Sequence, residues 1–152
     1  MSEERKDERL DRELIEFLNE LRVVLPGVQV LFAFLLTVPF TNQFSTITNG
    51  QRQVFFAVFL CTTAATALLI APSAYHRLRW REFDKEQMLR TSNRLSIAGM
   101  VFLSLALVGA AFLVADLIFH AAAAAVVTAA VAAFFGWFWW GLPLMRKVRD
   151  RS

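Results

Sequence analysis

Asp116 is the only acidic residue inside the long apolar runs of this chain, and His120 is the only histidine there, in AAFLVADLIFHAAAAAV. Four residues apart, they share one face of a helix. That is the spacing of a carboxylate–imidazole pair that can pass a proton or hold a cation, and the two form a candidate outer proton or cation site. Two ligands are too few for a metal assignment, so no metal is expected. Their chemistry depends on how deep they lie, which the surrounding elements decide.

Other polar residues interrupt the apolar runs at helical spacing. Pro26, Gln29, Ala33 and Thr37 form one stripe, and Thr62 and Thr66 form a shorter one. Pro26 removes a backbone donor and exposes a carbonyl, while the Gln29 amide both donates and accepts. Pro26, Gln29, Thr37, Thr62 and Thr66 are therefore a candidate polar path, with Gln29 about 10 Å inside the start of its run by helical rise from Val23. The competing reading is packing, since Thr and Gln hydrogen bonds join membrane helices and small faces such as Gly99, Ala106 and Gly109 let them approach. Cys61 lies mid-run and reads as a small packing residue; a single cysteine permits no internal disulfide and no Cys/His metal spacing.

The elements that carry these residues follow from composition. Hydrophobic residues make up 57% of the 152, including 15 Phe and 4 Trp, against 19% charged, above the apolar share of about 45–50% usual in soluble proteins. The charges gather in three blocks, Glu3 to Arg22, Arg77 to Arg94 and Arg146 to Arg151. Spans are predicted at 23–40, 54–72, 97–119 and 121–144, since a bilayer core about 30 Å thick takes roughly 20 helical residues. The last two come from one uncharged stretch, Ile97 to Leu144, broken only by Asp116 and His120. As a single helix it would run about 72 Å, more than twice the hydrocarbon thickness, so it must turn back. Asp116 lies about 28 Å along it by helical rise, which puts the turn at Asp116 to His120 and makes the pair interfacial.

With four spans, the N-terminal tail, the 73–96 loop and the 145–152 tail share one side and carry 15 of the 16 Lys and Arg residues; the other side has only Arg52. The positive-inside rule then places both termini in the cytoplasm of a multi-pass cell-membrane protein. Trp137, Trp139 and Trp140 fall at the inner headgroups as an aromatic belt. The basic excess needs no nucleic acid, and no aromatic–basic nucleic-acid motif is present. The densely charged first 22 residues do not resemble a cleavable signal peptide.

Residues 1–22 predict an amphipathic helix, with Leu10, Leu14, Phe17, Leu18 and Leu21 at helical spacing. Its net charge of −3 disfavours laying it on anionic lipid. The 73–96 loop is net +3, so Glu13, Glu16 and Glu20 are expected to dock against Arg77, Arg79, Arg81, Arg90 and Arg94, in the same chain or a neighbour. Asp84 and Gln87 in the loop have the spacing of a helix-capping pair. Tyr75, His76 and the adjacent arginines suit lipid headgroups or phosphate, though positive-inside anchoring explains them equally well.

LNELRVVLPGVQVLFAFLLTVPF, LLIAPSAYHRLRWR and FGWFWWGLPL resemble an uncharacterised actinobacterial family of small four-span membrane proteins, over nearly the whole chain. Some of its members are labelled sodium:proton antiporters, so the resemblance implies a four-span fold and, for those members, ion exchange. It supplies no catalytic residues. No phosphate-binding glycine loop, GxSxG elbow or HExxH pair occurs. The expectation is an all-α, four-helix transmembrane bundle without enzymatic activity or cofactor. Its expected partners are membrane lipid and either further copies of itself or another membrane protein. A small sodium or proton transporter or channel is the alternative.

Overall fold

The computed structural model describes residues 3–78, 85–119, 121–141 and 145. Its four helices are α1 (Glu3–Thr37), α2 (Asn49–Leu78), α3 (Lys85–Ile118) and α4 (Ala121–Phe135). Two short 3-10 turns, Val38–Phe40 and Asn42–Ser45, join α1 to α2, and α4 runs on into a π-helical turn over Gly136–Gly141. No strand occurs among the described residues. Four helical stretches are long and apolar enough to cross a membrane: Arg12–Phe40, Asn49–Ala74, Gln87–Ile118 and Ala122–Trp139. The chain is an all-α protein with four candidate spans.

The helices outrun the apolar segments. Residues 3–22 and the first span form a single helix, because the Glu, Arg and Leu residues of the charged part are good helix formers and no Gly or Pro intervenes before Pro26. Pro26 lies inside α1 and has no N–H for the Arg22 carbonyl. The helix persists through it, as in apolar surroundings every other backbone group still needs its helical partner. The predicted 73–96 loop is largely helical too, with α2 reaching Leu78 and α3 starting at Lys85; Asp84, the expected cap, lies outside the described residues. α3 ends at Ile118 and α4 begins at Ala121, where the length argument puts the turn.

Pro39 stops α1, since it denies a donor and restricts Val38 before it. The chain then makes tight turns whose hydroxyls serve their own backbone. Thr41, Ser45 and Thr46 each donate from the side chain to the carbonyl three residues back, at 2.7 Å. Thr48 opens α2 with a reciprocal cap. Its N–H donates to Gln51 Oε1 at 2.9 Å, and the Gln51 N–H donates to Thr48 Oγ1 at 3.2 Å. This is the T-x-x-Q capping box.

Contacts divide the chain into two units, Met1–Thr46 with Phe59–Leu103, and Ile47–Val58 with Ser104–Ser152. In the first, α1 buries Leu21, Val28 and Leu35, seven residues apart, and Phe32 stacks on Phe59 of α2 with ring centroids 5.5 Å apart. α2 presents Thr62, Ala65 and Leu69, and α3 presents Ser92, Ser96, Gly99 and Leu103, all buried. A Cβ on Gly99 would lie 2.8 Å from Leu69 Cγ, so only glycine admits that approach. Ser96 Oγ is buried without a hydrogen-bond partner.

In the second unit α2 contributes Phe55 and Val58, α3 contributes Ala106 and Ala115, and α4 contributes Ala124. A Cβ on Gly109 would lie 2.5 Å from Val58 Cγ2. Within this unit, Gly109 of α3 meets Val58 of α2, and Asp116 further along α3 meets Gln51 further back along α2. That is the order of an antiparallel helix pair.

Candidate functional site

Asp116 stands in the last turn of α3 and is half-buried. A carboxylate is disfavoured at a helix C-terminus, where the dipole is negative. Here its Oδ2 accepts a hydrogen bond from Gln51 Nε2 at 2.8 Å, in the first turn of α2, where the dipole favours an anion. Gln51 is itself fixed by the Thr48 cap. The amide is therefore held at both ends: its oxygen takes the Thr48 N–H and its nitrogen serves Asp116. This is a closed polar clasp between two helices, and His120, the proposed partner of Asp116, lies outside the described residues.

The candidate polar path divides. Thr37 Oγ1 donates to the Ala33 carbonyl at 3.0 Å, and Thr66 Oγ1 to the Thr62 carbonyl at 2.8 Å. Such back-bonding occupies the hydroxyl hydrogen on its own helix and leaves the oxygen lone pairs as acceptors. Thr62 is fully buried. Pro26 and Gln29 do come together, in an open cleft of about 540 Å³ lined by α1 and by Ser73 of α2. Asn19 and Arg22 line it as well, with Leu18, Leu21 and Leu25. Thr37, Thr62 and Thr66 do not line it.

The acidic face of α1 borders a different groove. Glu13, Glu16, Phe17 and Glu20 line a space of about 370 Å³ with Leu89, Arg90 and Asn93 of α3. Of the arginines expected to meet the glutamates, Arg90 lines this groove and Arg94, one turn further along α3, does not. Arg79 and Arg81 lie outside the described residues, and Arg77 is described only as a position in the last turn of α2. Glu13 Oε1 also accepts from Arg9 Nε at 2.7 Å within α1; this exposed pair adds little stability.

No group of three or more His, Cys, Asp and Glu side chains that could hold a metal occurs among the described residues. Residues 3–143 match the model of a family of unknown function, DUF6328. The chain belongs to this family. No curated protein and no solved structure matches it. Membership of DUF6328 thus covers all four helices while naming no activity, and the geometry of the polar residues has to carry the functional reading.

Sequence reasoning singled out Asp116, Pro26 and Gln29 but missed Thr48, Gln51, Asn19, Arg22 and Ser73. The T-x-x-Q spacing would have marked Thr48 and Gln51 as a cap. Arg22 carried a second signal: it is the last charged residue before Arg52, at the margin of a span. Nothing local in the sequence marks Ser73, which reaches the cleft only because α2 runs beside α1.

Proposed function

We propose that this chain is a non-enzymatic multi-pass protein of the cell membrane, both termini cytoplasmic, that works as a self-assembled oligomer or as an accessory subunit of a membrane complex. The observation that carries the reading is α4. Only 6% of its candidate span is buried within the chain, and the exposed positions include Ala122, Ala123, Ala125, Ala129, Ala130, Ala132 and Ala133. A face turned permanently to acyl chains gains nothing from small side chains, whereas alanine faces let membrane helices pack closely. α4 is built to be covered by another helix. The cytoplasmic termini rest on the placement of Lys and Arg.

Purified protein tests this directly. The detergent-solubilised protein mass should exceed one 17.2 kDa chain, or a second polypeptide should co-purify, and Ala129→Leu should reduce the association. Liposomes containing the protein should show no sodium- or pH-driven flux. A flux lost in Gln29→Leu would overturn this reading in favour of a small sodium or proton transporter of the kind the antiporter label describes.

A further inference from the structure

The cleft between α1 and Ser73 has a composition unlike the rest of the apolar surface. Among the described residues it holds one cation, Arg22, with three uncharged hydrogen-bonding side chains, Asn19, Gln29 and Ser73, and a leucine edge. None of these four polar side chains has a hydrogen-bond or ion-pair partner among the described residues. For Gln29, at the margin of the hydrocarbon, an unmet amide costs on the order of a few kcal/mol. Its partner lies beyond the described residues.

We propose that this cleft binds the phosphate-bearing headgroup of an anionic membrane lipid. Arg22 stands where the charged part of α1 passes into the span, at headgroup level. A guanidinium presents parallel donors that match phosphate oxygens, and Asn19 and the Ser73 hydroxyl add neutral donors beside it. Gln29 lies about 10 Å deeper by helical rise, at the level of the glycerol esters, whose carbonyls accept from its amide. Leu21 and Leu25 border the path of an acyl chain. At about 540 Å³ the cleft falls within the roughly 300–1,000 Å³ usual for small-ligand pockets.

The net negative charge of residues 1–22 does not oppose this, because its acidic residues stand away from Arg22 either round the helix or along it. At 100° per residue, Glu13, Glu16 and Glu20 lie within about 60° of one another, and Arg22 and Gln29 about 150–170° round from their centre. The glutamates line their own groove with Arg90. Asp11 shares the angular face of Arg22 but stands about 16 Å from it by helical rise. The site depends on α1 and α2 alone and holds whether or not α4 associates.

Native mass spectrometry of the full-length protein, offered an equal mixture of phosphatidylglycerol and phosphatidylcholine, tests the proposal. Wild type retains phosphatidylglycerol preferentially, and Arg22→Gln lowers that preference about tenfold, the loss of one charge-assisted contact. Asn19→Leu lowers it less, which keeps the test open if Arg22→Gln fails to fold. Arg12→Gln, of equal charge change outside the cleft, leaves the preference intact. Equal retention of both lipids, or an equal loss in Arg12→Gln and Arg22→Gln, overturns the site. Thermal stabilisation by inorganic phosphate with no lipid preference overturns the lipid assignment and makes the ligand soluble phosphate.

Discussion

α2 and α4 are both apolar enough to cross a membrane, yet the chain covers 28% of one candidate span and 6% of the other. Small residues line both. Against α2 they are used within the molecule, where Gly99 admits Leu69 and Gly109 admits Val58. On α4 the buried Ala124 is the exception, and most other alanines are exposed. The same side-chain chemistry therefore stands in two settings: a closed seam that stabilises the fold, and an open face on α4 that the proposed assembly would cover. Substitutions in the first should cost folding, and substitutions in the second should cost association.

The largest effect belongs to the seam. Gly109→Leu must displace Val58, and overpacking of this kind costs about 1–3 kcal/mol or more; a lowered unfolding midpoint in detergent checks it, and an unchanged midpoint would mean the helices do not meet there. Next comes the clasp that closes the seam at the end of α3. Gln51→Leu removes the donor to Asp116 and half of the Thr48 cap, an expected loss of about 1–3 kcal/mol for a hydrogen bond to a charged group. In a double-mutant cycle with Asp116→Leu the two losses should be strongly non-additive. Simple additivity would return Asp116 to the status of an unpartnered interfacial carboxylate.

Smaller effects sharpen the contrast. Ala125→Leu on α4 should shift the unfolding midpoint of the isolated protomer little, within roughly 0.5 kcal/mol as for surface positions, while reducing assembled mass by size-exclusion light scattering. Ser96→Ala should be neutral or stabilising by up to about 1 kcal/mol, because it removes a buried hydroxyl that has no partner. Destabilisation by Ser96→Ala would point to a hydrogen bond that forms in the bilayer.

Much of the fold was legible in the sequence because the bilayer imposes a length. The 48 residues from Ile97 to Leu144 could not form one span, and the break between Ile118 and Ala121 lies where that count requires it. The partner of Asp116 was not legible. It stands 65 residues away, and only the antiparallel order of α2 and α3 brings Gln51 to it. The charge at the margin of the first span was hidden by averaging, since a net charge of −3 over residues 1–22 reports the acidic residues and conceals Arg22. The helical continuity of the charged segments was also obscure, because hydropathy marks where a helix enters lipid and says nothing of where it ends.

The open face of α4 is tested most directly by placing a photo-crosslinking amino acid at position 129 and irradiating native membranes. A face covered by protein yields a product heavier than the 17.2 kDa chain, either a multiple of it or a defined partner adduct. The same label at Val114, a large exposed residue of α3, should give chiefly lipid adducts. If position 129 also yields only lipid adducts at the mass of a single chain, α4 faces the bilayer and the assembly reading is wrong.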